Sequence, residues 1–158
     1  MITGTEQLHP TVKLFIRADP ELGCETQKQA VLRRLNELDA EDYIEDYEIN
    51  VWTKEIRLAG PLKGTSYYRM VCDHVEEFQQ WADEQSVQLN SAFKIQSLSC
   101  EITNETYTVL SLPCICLAVY DDADELRGVY PHTDGETIQT VSNCLAELET
   151  NSRLNYAD

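Results

Sequence analysis

Apolar and polar residues alternate from Thr11 to Arg17, and this period of two predicts a β-strand. From about Glu25 to Leu38 the apolar residues recur at the spacing of an amphipathic helix. Alternation returns from Tyr47 to Val51 and continues through Leu58, which predicts a second strand. A strand, a helix and a strand in this order are typical of a βαβ unit with parallel strands and a right-handed crossover.

The second half of the chain begins with a long helical pattern, from about Ser66 to Gln85. Alternating residues then predict an added hairpin within residues 89–111. The segment Cys114 to Tyr120 is continuously apolar, which indicates a central strand covered on both faces. A partner strand follows at Leu126 to Tyr130, and Thr133 with Glu136 resembles a capping box that would open the last helix.

These patterns predict an α/β fold with the element order βαβ-α-ββα and an inserted hairpin. The chain length of 158 residues fits a single domain, residues 1–158. We expect the following parts: a loose lead-in (1–10), the βαβ unit (11–58), the long helix (64–88), the extra strands (89–111), the ββα end (112–149) and a frayed tail (150–158).

The charge balance is strongly acidic, with 12 Lys and Arg against 28 Asp and Glu and a net charge of −16. Acidic residues are spread along the chain and the apolar content is 42%, which indicates a folded domain with an acidic surface. Salt screens such a surface, since the Debye length falls to about 3 Å at 1 M. The composition therefore fits an acidic protein of a high-salt cytoplasm, and the alternative is an ordinary acidic protein. At low salt the composition disfavours nucleic acid binding, which depends on Lys and Arg. This argument weakens in a high-salt cytoplasm, where DNA-binding proteins are acidic overall and carry only local basic spots.

The sequence has no apolar run of membrane-spanning length and no signal-peptide pattern at its start, so we expect a soluble cytoplasmic protein without a membrane partner. Its six cysteines show no paired spacing except Cys114-x-Cys116, which favours a reduced compartment in which most thiols fill the core. Cys114 and Cys116 on one strand face, with His132 or Cys144, would suggest zinc. However, their spacing and apolar surroundings disfavour it, and we predict no metal and no cofactor.

Cys24 directly follows the first predicted strand and loop and opens the first helix. Unpaired backbone N–H groups and the helix dipole favour a thiolate at such a position, which makes Cys24 the candidate catalytic residue. The neighbouring Glu25 opposes a thiolate. The alternative is an ordinary residue at a helix start.

The strand that leads into Leu112-Pro113, the buried strand, the strand with Gly128 and the final helix resemble the end of a thioredoxin-like fold. The resemblance implies a thioredoxin-like βαβ-α-ββα fold around a central mixed sheet, and in that family the proline is cis and faces the nucleophile. The resemblance implies that Cys24 occupies the active-site position, in a motif that lacks the second cysteine. It also implies a binding segment at Leu112, Pro113 and Cys114. If Pro113 is cis, Cys114 would lie near Cys24 as a non-adjacent dithiol partner; otherwise it fills the core.

The chain as a whole also resembles small proteins of halophilic archaea, some of which carry helix-turn-helix labels. Two functional hypotheses follow. The first is a thioredoxin-like module for binding or assembly with a protein partner, or a monothiol redox protein that uses Cys24, with a non-catalytic role favoured over an enzyme. The second is a nucleic-acid-associated regulator of the helix-turn-helix type that uses Lys28, Arg33 and Arg34, although such charges are also expected on any solvated helix. The sequence identifies no particular protein partner, and it is also compatible with a homodimer.

Overall fold

The computed structural model describes residues 9–18, 22–58, 64–90 and 92–156. The expected lead-in lies outside these ranges except for His9 and Pro10, as do the last two residues of the tail. The helices are α1 (Leu22–Ala40), α2 (Ser66–Gln85) and α3 (Val141–Tyr156). The strands are β1 (Thr11–Arg17), β2 (Asp46–Trp52), β3 (Glu55–Arg57), β4 (Lys94–Cys100), β5 (Glu105–Ser111), β6 (Ile115–Tyr120), β7 (Leu126–Tyr130), β8 (His132–Asp134) and β9 (Thr137–Gln139).

A four-stranded mixed sheet with the order β2-β1-β6-β7 forms the centre of the protein. Strands β1 and β2 are parallel, with Leu14 opposite Ile49, as expected for a βαβ unit. Strand β6 is antiparallel to β1 on one side and to β7 on the other. All six side chains of β6 are buried, because helices cover both faces of the sheet. The predicted mixed α/β fold is therefore confirmed.

Two hydrophobic clusters lie on opposite faces of this sheet. On one face, α1 and α3 pack against β1 and β6, and the cluster includes Leu14, Leu35 and Leu117. On the other face, α2 packs against the sheet through a cluster that includes Phe15 and Phe78, whose rings meet edge to face with their centroids 5.6 Å apart. Residues 14 and 15 thus point to opposite cores, as the period of two in a strand requires.

A second sheet with the order β3-β5-β4 contains the inserted hairpin predicted for residues 89–111. The expectation that β2 continues through Leu58 is wrong, because the chain turns at Thr53, whose hydroxyl donates to the carbonyl of Glu55 at 2.9 Å. Strand β3 pairs instead with β5 in the second sheet. The outer strand β4 is exposed from Lys94 through Ser99.

The predicted capping box at Thr133 is also wrong. Residues 132–139 form the hairpin β8–β9, in which Gly135 turns the chain with a φ of 64°, a conformation that glycine adopts without strain. Helix α3 begins at Val141, and the hydroxyl of Thr140 caps it by accepting the N–H of Asn143 at 3.1 Å. The helix continues to Tyr156, through most of the tail that was expected to fray.

Candidate functional site

Cys24 and Cys114 are joined as a disulfide, although 90 positions of sequence separate them. Their Cα atoms are 5.8 Å apart, within the usual range for a disulfide. Cys24 lies in the first turn of α1 and is only 5% exposed, whereas Cys114, between β5 and β6, is partly exposed. The structure therefore contains the non-adjacent cysteine pair that was one of the two alternatives for Cys114.

This pairing does not depend on a cis bond before Pro113. Within the described chain the cis X–Pro bond lies between Tyr130 and Pro131, so the peptide before Pro113 is trans. Cys114 reaches Cys24 because the segment before β6 is fixed to the end of β1 and to β2. The Arg17 backbone N–H donates to the carbonyl of Cys114 at 3.0 Å, and the indole Nε1 of Trp52 donates to the carbonyl of Pro113 at 3.0 Å.

The side chain of Arg17 is the main polar contact of this segment. Its Nε and Nη2 atoms donate to the carbonyl of Leu112 at 2.8 and 2.6 Å, and its Nη1 lies 3.8 Å from the Cys114 sulfur. A guanidinium therefore lies beside one sulfur of the pair. Sequence reasoning missed Arg17, and its position as the last residue of the first strand, next to the loop that leads to Cys24, was the available signal.

The predicted binding residues do not share one environment. Leu112 is fully buried in the cluster beneath α2, so only its backbone faces Arg17. Pro113 and Cys114 instead line an open cavity of about 350 Å³ on the other side of the sheet. Gln27 and Val31 of α1 and Val141 of α3 complete much of its wall. The structure thus brings Pro113 and Cys114 to a surface depression next to the disulfide.

The three cations proposed for nucleic acid also differ in position. Lys28, which was expected to face water, is only 5% exposed; its Nζ donates to the Arg17 carbonyl at 2.5 Å and lies 3.7 Å from a Glu25 oxygen. Arg34 pairs with Glu37 and with Glu149 of α3, and the Glu149 hydrogen bond is the main reason that its pKa is raised. Arg33 is exposed to solvent.

The remaining thiols have other surroundings. Cys116 belongs to the cluster beneath α2 whereas Cys114 packs at the α1 side, so the expectation that both sulfurs share one strand face is wrong. Burial raises the pKa of both Cys116 and Cys144 well above the ordinary thiol value. His132 is buried and its Nδ1 lies 2.6 Å from the carbonyl of Val129. Across the described ranges no His, Cys, Asp and Glu cluster is suited to hold a metal ion.

The fold and the site define a mixed α/β protein with a disulfide beside a surface cavity. The chain belongs to a family described as a helix-turn-helix domain, which matches residues 5–153. No curated protein and no solved structure matches the chain. The thioredoxin-like assignment is therefore wrong, because a match over nearly the whole chain places it in a different family. The same match supports the second functional hypothesis, a transcription regulator of the helix-turn-helix type, over the first.

In the part of the chain that the structure describes, strands separate each helix from the next. Strands β2 and β3 lie between α1 and α2, and six strands lie between α2 and α3. The family membership thus rests on the sequence match and not on a compact pair of helices. Across the same residues no helix is long and apolar enough to cross a lipid bilayer.

Proposed function

We propose that the protein is a cytoplasmic, nucleic-acid-associated transcription regulator and that α1 supplies its contact surface. The family match over residues 5–153 is the observation that carries the regulatory function. With a net charge of −16, attraction between the whole protein and phosphates is unfavourable, so the contact must be local. The choice of contact surface then depends on where the structure exposes residues that can bind DNA.

The outer face of α1 carries the residue types that such a contact needs. Thr26, Gln29, Arg33 and Asn36 follow one another at helical spacing and are all exposed. None of them is acidic, in a chain with 28 acidic residues. Arginine pairs with guanine, and asparagine and glutamine pair with adenine, in the major groove, which is wide enough to admit a helix. We name these four residues the α1 stripe.

The three predicted cations differ in their contacts, and this difference supports separate proposed roles. Arg33 belongs to the α1 stripe and is the residue that we propose for direct contact. Arg34 connects α1 to α3 through Glu149, and Lys28 bonds to the backbone beneath the helix. We therefore propose that Arg34 and Lys28 support the orientation of α1, while Arg33 contacts the nucleic acid.

The test is retention of a random-sequence duplex DNA pool on the immobilised protein over a range of KCl concentrations. Bound sequences should enrich over repeated rounds, and Arg33→Ala should weaken the selected complex by about 1–3 kcal/mol if Arg33 reads a base. Arg69→Ala is the matched control, because Arg69 is an exposed arginine on α2. Arg34 is left intact, because its replacement would leave Glu149 without this partner.

Two outcomes would reject parts of the proposal. If wild-type protein retains no DNA at any salt concentration, the regulatory function through direct binding is wrong. If Arg33→Ala and Arg69→Ala weaken retention equally, binding is a general charge effect and the α1 stripe is not the contact surface. The first outcome is the one expected of a regulator that acts only through a protein partner, since neither wild type nor the two variants would then retain DNA.

A further inference from the structure

We propose that Cys24 and Cys114 form a reversible redox site that exchanges with low-molecular-weight disulfides and thiols, and that Cys114 is the sulfur that reacts first. The fold brings the two sulfurs together from positions separated by 90 residues in sequence. This site is inferred from the pair and its surroundings and does not require that the protein bind nucleic acid.

Accessibility distinguishes the two sulfurs. Cys24 lies in the first turn of α1 and is 5% exposed, whereas Cys114 is partly exposed and lines the cavity of about 350 Å³. In thiol–disulfide exchange, the small molecule must approach one protein sulfur directly. The sulfur that is more accessible to solvent therefore reacts first. The geometry therefore assigns to Cys114 the first reaction with the small disulfide or thiol. The sequence-based prediction named Cys24 as the nucleophile instead.

Charge favours the same sulfur. The thiolate is the form that attacks a disulfide, and a nearby cation stabilises it. The Arg17 guanidinium lies 3.8 Å from the Cys114 sulfur and is oriented by its two hydrogen bonds to the Leu112 carbonyl. Buried Cys116 and Cys144 have the opposite environment, because desolvation raises their pKa. These two thiols should remain unreactive while the pair exchanges.

The exchange is balanced as two thiol–disulfide steps. In oxidation, the Cys114 thiol loses its proton to water, its thiolate attacks one sulfur of a disulfide RSSR, the RS–SR bond breaks, and RS⁻ leaves and takes up a proton. The Cys24 thiol then loses its proton, its thiolate attacks the Cys114 sulfur of the mixed disulfide, the Cys114–SR bond breaks as the Cys24–Cys114 bond forms, and the second RS⁻ leaves and takes up a proton. Two electrons pass from the protein dithiol to RSSR, which becomes two RSH. Reduction by two RSH reverses both steps and begins at the Cys114 sulfur.

The first test uses the folded wild-type protein in glutathione buffers of stepped oxidised-to-reduced ratio, with acid quench, alkylation and peptide mass analysis. We expect Cys24 and Cys114 to convert together between two alkylated thiols and one linked peptide, while Cys116 and Cys144 remain thiols. Cys72→Ser is the matched control and should not alter the transition, because Cys72 is free in the structure. A bond that resists excess reduced glutathione until urea is added would overturn the reversible site. If Cys24 and Cys114 remain two separate thiols in fully oxidised glutathione buffer, the proposed redox pair is wrong.

The second test asks which of the two sulfurs reacts first with a small disulfide. Oxidised glutathione should form a mixed disulfide at Cys114 in Cys24→Ser about tenfold faster than at Cys24 in Cys114→Ser. If either variant fails to fold, reduced wild type is treated with limiting iodoacetamide and the first alkylated position is mapped. Cys114 should be modified first. Equal or faster reaction at Cys24, in either experiment, would overturn the assigned order.

Discussion

Removal of the Cys24–Cys114 bond should lower the free energy of unfolding by an amount set mainly by the unfolded chain. The bond closes a loop with a sequence separation of 90 residues. In the chain-entropy description, a loop of this size restricts the unfolded state by about 4.6 kcal/mol at 25 °C, and native disulfides contribute about 2–5 kcal/mol when measured. A loss of about 3 kcal/mol corresponds to a fall in melting temperature of about 6–12 °C for a chain of this size.

The perturbation is the double variant Cys24→Ser with Cys114→Ser, compared with oxidised wild type by urea unfolding at fixed KCl. Wild type reduced with a phosphine supplies a second comparison without mutation, and Cys72→Ser supplies a control for the loss of one thiol. Reduced wild type and the double variant should unfold at similar urea concentrations, both below the oxidised protein. Equal free energies for oxidised wild type and the double variant would refute the chain-entropy reasoning.

Three further predictions concern charge. Stability should rise with KCl into the molar range, because the net charge of −16 is self-repelling; a melting temperature that does not change with salt would contradict this. Lys28→Met should cost about 1–3 kcal/mol in urea unfolding, since the partly buried Arg17 carbonyl loses the hydrogen bond from the buried Lys28 Nζ, whereas the exposed Lys94→Met should change little. The pKa of Asp121 is lowered, first by the N–H of Glu125, so Asp121 contributes stability above its ordinary pKa of 3.8 that is lost as pH falls through the lowered value. The stability difference between wild type and Asp121→Asn should therefore shrink below about pH 4 and would contradict the assignment if it grew there.

Periodicity predicted the parts of the fold whose burial is regular. Strand β1 alternates between two cores and β6 is buried on both faces, so their patterns have one physical interpretation each. Residues 133–136 have two interpretations, because a threonine with a glutamate three positions later suits a capping box and Asp-Gly suits a hairpin turn. A tertiary contact favours the hairpin, because the backbone groups of Thr133 exchange hydrogen bonds of 2.8 and 2.9 Å with those of Gln88, just after α2. Local patterns could not show that choice.

The sequence predicted most of the site as separate residues, and the Cys24–Cys114 pair only as one alternative that depended on a cis bond before Pro113. Cys24 and Cys114 each have a local environment that the sequence indicates, but their pairing depends on how the segment after β5 meets α1. Arg17 and Lys28 illustrate the same limit, because a cation in a polar stretch is ordinarily solvated, whereas here the two residues are linked beneath α1 through the Arg17 carbonyl. The resemblance of element order to a thioredoxin-like end misled the family assignment for a related reason, since order alone does not identify a family.

The proposed redox site and the proposed DNA contact share helix α1, so coupling between them can be measured. Its first turn holds Cys24 and its outer face carries the α1 stripe, with Arg33 as the proposed contact. We expect the Cys24–Cys114 bond to hold the start of α1 more firmly than the two thiols do, so the DNA affinities of the oxidised and reduced forms should differ. By linkage, bound DNA must then shift the thiol–disulfide equilibrium by the same factor. The glutathione titration of wild type should therefore move its midpoint when selected duplex is added. At a duplex concentration that half-saturates wild type, Arg33→Ala should reduce the shift while leaving the DNA-free midpoint unchanged. A midpoint that is insensitive to saturating duplex would show that the redox site and the α1 stripe act separately.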